Sequence, residues 1–233
     1  MALIVGSKPA LWLALLTSGK FGFERDTIEK STIDQILVPD YDAIDEAERA
    51  RADELFTRLV KANDTAGWAE VDAWVSHLYG LHREDIRLVD DTLRFNLPFA
   101  LNRRAAQKRP TDQEVRTFGD VLQSELRPWG ERKGQIIRVS FVPARSASPW
   151  RALQVHVTPV GQALEQRQDG NLAALVHAAD RLAATQLIYR DPAAECLWVE
   201  RLDQARYWSE AQARSLARQV MWEHVDLLTG RRN

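Results

Sequence analysis

The chain has 233 residues, 45% hydrophobic and 27% charged, a balance that excludes an intrinsically disordered protein and suffices for one large domain or two small ones. Its formal net charge of -2 excludes a uniformly basic nucleic-acid coat, so any basic surface has to be local. A single cysteine, Cys196, excludes an internal disulfide and points to a reducing, cytoplasmic compartment, while the strongest apolar run, Leu11 to Leu16, is too short to span a bilayer and lacks a cleavage-type flank.

In chain order, the pattern predicts a short apolar helix over about Pro9–Thr17 and a turn at Ser18-Gly19-Lys20-Phe21-Gly22. Extended backbone follows, ending in a strand at Ile33–Asp40 that Pro39 closes, because proline cannot donate to a ladder. Residues 42–128 read as helical. Asp42 is the expected N-cap of a helix reaching Val60, with Ile44, Ala47, Leu55 and Leu59 leaning to one side. Val71, Trp74, Val75 and Leu78 mark a second helix that stops at Gly80, a residue suited to a left-handed cap. A third runs from about Arg83 to Phe95. Thr111-Asp112-Gln113-Glu114 is a capping box opening a helix with Val115, Phe118, Leu122 and Leu126 on one stripe, which Pro128 is expected to end.

Residues 129–233 alternate. Strands are expected at 135–143 and 151–159, flanking Pro143–Pro149, then a helix around 171–183 and strands near 185–190 and 196–201. A second capping box, Ser209-Glu210-Ala211-Gln212, opens a helix with Ala213, Leu216, Ala217, Val220, Leu227 and Leu228 inward. The fold class is α+β: an N-terminal segment to residue 41, a helical region over 42–128, and a C-terminal mixed β-sheet with flanking helices over 129–233.

No constellation in the sequence supplies a catalytic or metal site. Cys196 lies in the apolar run Cys196-Leu197-Trp198-Val199, where an inert buried thiol is the reading, and no base is adjacent to it. His77 and His82 have no cysteine or carboxylate cluster at ligand spacing. No Gly-x-Gly loop is present, so no nucleotide cofactor is expected. Asn96-Leu97-Pro98-Phe99 resembles the Asn-Pro-Pro-Phe/Tyr tetrapeptide of adenine methyltransferases, but Leu97 replaces its first proline and the segment reads as a helix-to-loop transition. Asp40 with Glu131 and Lys133 resembles the Pro-Asp…Glu-x-Lys nuclease signature, which makes a metal-dependent nuclease the remote alternative, but Gly130 and Gly134 put its second half in a turn instead of on a strand.

Charge is distributed more informatively. Arg127, Arg132, Lys133, Arg138, Arg145 and Arg151 are opposed only by Glu131 and interleaved with Trp129, Phe141 and Trp150. Such a loop and hairpin would neutralise DNA phosphates, the alternative being a solvated basic face. Residues 24–54, rich in Asp and Glu, would repel DNA and suit a basic partner.

The segment Ala14-Leu15-Leu16-Thr17-Ser18-Gly19-Lys20-Phe21-Gly22-Phe23-Glu24-Arg25-Asp26, with Glu29-Lys30 and Ile36-Leu37-Val38-Pro39-Asp40, resembles the closing part of a target-recognition domain. Such domains belong to N6-adenine DNA methyltransferases of restriction-modification and phage-defence systems. The exit into a long helix is similar to that of type I restriction specificity subunits. Leu78-Tyr79-Gly80-Leu81, Leu97-Pro98-Phe99 and Arg206-Tyr207-Trp208 resemble C-terminal extensions of the same methylases, so the likeness covers about half the chain. It implies a split architecture in which a separate methyltransferase chain supplies catalysis and S-adenosylmethionine binding. This chain would be a non-catalytic DNA-recognition or assembly subunit, or a scaffold that never touches DNA. It also implies that Leu11, Trp12, Leu15, Leu16, Phe21 and Phe23, too few to form a core of their own, dock against the methylase or against a second copy of the chain.

Overall fold

In the computed structural model, the described residues are 1–18, 27–62, 66–96, 99–142, 148–160, 184–191 and 196–229. The chain divides into two compact units, Met1–Ala105 and Ala106–Asn233. The three stretches read from the sequence thus regroup as two.

The first unit is helical. Helix α1 (Ala2–Gly6) was not expected; it passes at Ser7, whose hydroxyl donates to the Ile4 carbonyl at 2.7 Å, into α2 (Lys8–Thr17), with Pro9 in its first turn. Proline suits that position because the first amides of a helix have no partner inside it. The strand expected over Ile33–Asp40 does not form. Lys30–Ile33 is instead a short helix, α3, and Ile36 packs on the core. The β-branched run reads as a strand in isolation, but no strand is available to pair with it among the described residues of this unit.

Helix α4 (Glu46–Ala62) begins after Asp45, whose carboxylate accepts from the Glu48 amide at 2.8 Å. The cap is therefore Asp45, not Asp42; Asp42 lies in a 3₁₀ turn (Tyr41–Ala43) capped by Asp40. Helix α5 (Gly67–Leu78) ends as Gly80 predicts. Gly80 adopts φ 62°, its amide donates to His77 O at 2.9 Å, and the Leu81 amide donates to Ser76 O at 2.8 Å, satisfying two carbonyls of the last turn. Helix α6 (Arg83–Asn96) follows, then α7 (Phe99–Gln107), where the sequence had suggested loop. Two small cores result. Leu3, Ile4, Leu55, Val71, Trp74 and Val75 form one; Ala14, Leu15, Val89 and Leu93 form the other, with Leu11, Trp12 and Ile28 packed on it.

The second unit is built around a sheet. Helix α8 (Asp112–Glu131) opens with the expected capping box: Glu114 N–H donates to Thr111 Oγ1 at 3.2 Å, and Thr111 N–H donates to Glu114 Oε2 at 2.8 Å. Pro128 does not end the helix. Standing in its final turn, it removes one intrahelical donor, and the helix continues to Glu131. The chain then reverses tightly. Gly134 has φ 67°, and a Cβ on Gly130 would come within 2.8 Å of the Ile137 side chain, so only glycine lets the helix end lie this close to the next strand.

Strands β1 (Gln135–Phe141), β2 (Trp150–Pro159), β3 (Gln186–Asp191) and β4 (Cys196–Leu202) form one sheet in the order β1-β2-β4-β3. All three pairings are antiparallel, so the sheet is not mixed in direction. Helix α9 (Glu210–Glu223), capped by Ser209 Oγ accepting from Gln212 N–H, and the short α10 (Val225–Leu228) complete the unit. The inward stripes of α8, α9 and α10 and one face of the sheet meet in a single core, running from Phe118 and Leu126 through Leu153, Val155, Leu197 and Val199 to Leu216 and Leu228. The other sheet face is buried too, at Trp150, Gln154, His156, Cys196, Trp198 and Glu200. The helix expected over 171–183 and the connection over 143–147 lie outside the described residues.

Candidate functional site

Strand alternation divides the basic stretch that the sequence presents as one patch. Register pairs Arg138 with His156 and Arg151 with Arg201. Arg138 therefore stands on the sheet face away from the helices, and Arg151 on the face toward them. Arg132 and Lys133 lie exposed in the turn between α8 and β1, the Arg132 guanidinium 5.9 Å from the Trp129 ring centre. Arg138 is exposed on β1, and these three cations form no ion pair with the described residues. Arg127, at the surface of α8, pairs with Glu131 at 3.4 Å. Arg145 lies outside the described residues.

Arg151 departs from the expectation of a free phosphate contact. Its side chain is 15% exposed, and its Nε donates to Asp203 Oδ1 at 2.7 Å. It belongs to a different group, four arginines gathered at one end of the sheet. Arg109 Nε lies 3.4 Å from Asp203 Oδ2. Arg201, next to Arg151 on β4, is 5% exposed; among the described residues it gives one hydrogen bond, from Nη2 to Gln212 Oε1 at 2.7 Å, and its Nε and Nη1 have no partner. Arg206 also has a buried Nε without a partner. The guanidinium carbons lie near aromatic ring centres: Arg151 5.8 Å from Trp208, Arg201 5.4 Å from Phe118 and 6.0 Å from Tyr207, and Arg206 4.8 Å from Tyr207. Phe118 and Trp208 are themselves 4.9 Å apart, and Trp208 Nε1 is fixed by the Leu202 carbonyl at 2.9 Å. Burial pulls the Arg201 pKa down to about 10, since a charged group loses hydration that nothing here fully replaces.

Sequence reading missed Arg109, Asp203, Arg201 and Arg206 as a group. One signal was present: in Leu197-x-Val199-x-Arg201 the two-residue period of β4 puts an arginine where the apolar face requires a hydrocarbon.

The remaining candidates are engaged locally. On the other sheet face His156 Nε2 lies 3.0 Å from Ser140 Oγ and 3.1 Å from Gln154 Oε1, and burial lowers its pKa below 6.5. Nε2 is thus shared between a hydroxyl that can donate or accept and an amide oxygen that only accepts. Burial and the charge of Asp191 push the Cys196 thiol up to about 12. It remains a neutral thiol at ordinary pH, as expected from its apolar strand. His77 Nε2 lies 3.5 Å from Glu48, and the His82 amide is bonded to Asp85 at 2.9 Å. Among the described residues no group of three or more His, Cys, Asp or Glu side chains could hold a metal ion. Asp40 caps its 3₁₀ turn and Glu131 binds Arg127.

The N-terminal interface candidates are corrected in part. Leu15 is buried against Val89 and Leu93 of α6, and Leu11 and Trp12 pack on the same cluster. The cover this apolar helix requires comes from its own unit, because α6 is strongly two-sided and turns its apolar side to α2. Leu16 alone of the described members is open, at 59% exposure. Phe21 and Phe23 lie outside the described residues. Beside α2 an apolar cavity of about 380 Å³ is lined by Ile4, Trp12, Leu13, Ile36, Val75 and Val89, among others.

Comparison with family models, with curated proteins and with solved structures gives no match.

Proposed function

We propose that this chain is a non-catalytic DNA-recognition and assembly subunit that acts with a separate N6-adenine DNA methyltransferase chain, in a cytoplasmic restriction-modification or anti-phage system. The observation that carries the reading is the exposed cation group Arg132, Lys133 and Arg138, which meets no carboxylate among the described residues and sits on a helix–turn–strand element fixed by Gly130 and Gly134. Cations held on a rigid element track phosphates without spending binding energy on ordering themselves. The resemblance of the N-terminal segment to a target-recognition domain supplies the partner class. No helix among the described residues is long and apolar enough to cross a membrane.

The test is fluorescence anisotropy with duplex DNA, using the full chain alone and after addition of a candidate methyltransferase chain. Arg132→Glu/Lys133→Glu/Arg138→Glu should weaken binding alike on all sequences and make the slope of log affinity against log salt shallower by roughly three. Unchanged affinity at low salt would remove DNA contact from these residues and leave a scaffold. Calorimetric titration of the isolated chain with S-adenosylmethionine should give no binding heat; measurable binding overturns the non-catalytic assignment.

A further inference from the structure

The group around Asp203 has more positive charge than its own carboxylate can answer. Arg109 and Arg151 both point at Asp203, while Arg201 and Arg206 meet no carboxylate among the described residues. Two nearby carboxylates are engaged elsewhere: Glu114 accepts from the Thr111 amide at 2.8 Å, and Glu210 lies 3.9 Å from Arg214. Glu200 stands on the opposite sheet face, as the alternation of β4 requires. An unpaired guanidinium deep in a core costs stability, and replacing such a group with a hydrocarbon is often neutral or favourable. Here the Arg201 guanidinium lies 5.4 Å from the Phe118 ring centre and 6.0 Å from that of Tyr207, with Nε and Nη1 unused among the described residues, a donor set suited to planar or tetrahedral oxyanions.

We infer that Arg109, Arg151, Arg201 and Arg206 form a binding site for a phosphate group. Access is from the Arg109 side. Arg109 is 57% exposed, and the Ala205 amide donates to the Lys108 carbonyl at 2.7 Å, which lays residues 108–109 beside 205–206. The N-terminus of α9, capped at Ser209, begins directly after the Arg206-Tyr207-Trp208 turn and adds its positive end. A phosphoryl oxygen reaching the group accepts from Arg206 Nε and from Arg201 Nε and Nη1, buried donors with no partner among the described residues. The inference does not depend on DNA contact by Arg132, Lys133 and Arg138, which lie in a different part of the unit's sequence and surface. Two sources share the chemistry, a free phosphate compound and the DNA backbone.

The experiment uses the full chain and inorganic pyrophosphate, read by calorimetry and by thermal shift against sodium chloride of matched ionic strength. Wild type should bind and be stabilised. Arg201→Met should melt no lower than wild type without ligand, yet bind pyrophosphate at least about tenfold more weakly. Where Arg201→Met fails to fold, Arg206→Gln with a native circular dichroism spectrum carries the same expectation of weakened binding. Competition then separates the sources. A short duplex that displaces pyrophosphate, with DNA affinity lowered by Arg206→Gln, assigns the site to the backbone. A duplex that neither displaces it nor responds to the variant assigns a free phosphate compound. No pyrophosphate binding by wild type, or equal binding by the folded variants, overturns the site and leaves the arginines as stacked structural cations.

Discussion

The two units solve the same burial problem differently. In Ala106–Asn233 a four-stranded sheet gathers residues from distant parts of the sequence, and α8 and α9 close over one face, so a single core includes Phe118, Leu126, Leu153, Val199, Trp208 and Leu216. In Met1–Ala105 short helices each bring only a stripe. The result, among the described residues, is two smaller clusters and a cavity of about 380 Å³. A sheet collects apolar positions two residues apart on every strand at once. A helix of ten residues, such as α2, offers at most a few per face, and gaps remain where stripes of unequal length meet.

That contrast can be broken most directly by core truncation. Phe118→Ala should destabilise the second unit by about 3–5 kcal/mol in denaturant unfolding, whereas Leu15→Ala should cost about 2 kcal/mol in the first, where loosely packed surroundings can collapse onto the space. The reverse ranking would mean the first unit is the better packed. Next is the end of α5. Gly80→Ala should cost about 1–2 kcal/mol, because a side chain at φ 62° is strained even though nothing stands within 4 Å of the added atom. A neutral result would show that the α5 terminus can relax without loss. Thr111→Ala removes the α8 cap and should lower stability by about 1 kcal/mol in urea titration, with the affinity for pyrophosphate unchanged.

The smallest effect is a pH dependence. His156 has a folded pKa below 6.5, through burial, so the unfolded chain holds the extra proton more readily between the folded value and 6.5. Its contribution to stability is complete above about 6.5 and is lost as the pH falls through that window. Melting temperature measured from pH 7.5 downward should therefore drop more steeply for wild type than for His156→Gln. Parallel profiles would place the acid sensitivity in another group.

Local signals were legible. The Thr111 box, the Ser209 cap, the Gly80 terminus and the strand positions each depend on residues within a few places of one another, and α+β follows from them. Signals that depend on a partner were not. Ile33–Asp40 has strand-forming residues but no neighbouring strand among the described residues of its unit, and Asp42 lost the α4 cap to Asp45, which reaches the Glu48 amide. The basic run was visible as charge, but its division between two sheet faces depends on register, and the arginines around Asp203 come from four separate places in the chain. Leu15 was rightly marked as needing cover; only the fold shows that Val89 and Leu93 provide it.

The strand order β1-β2-β4-β3 also constrains how the second unit comes together in time. The β1–β2 and β3–β4 pairs are local and can zip early, but the seam between β2 and β4 joins His156 to Cys196 and Arg151 to Arg201 across everything from residue 157 to 195. Closing that seam is the slow, non-local event. During synthesis α8 and the first hairpin leave the ribosome before β4, so the β2 edge stays unpaired until Leu202 has emerged. For that interval the nascent chain displays an unpaired strand edge, the kind of surface through which partly folded chains associate.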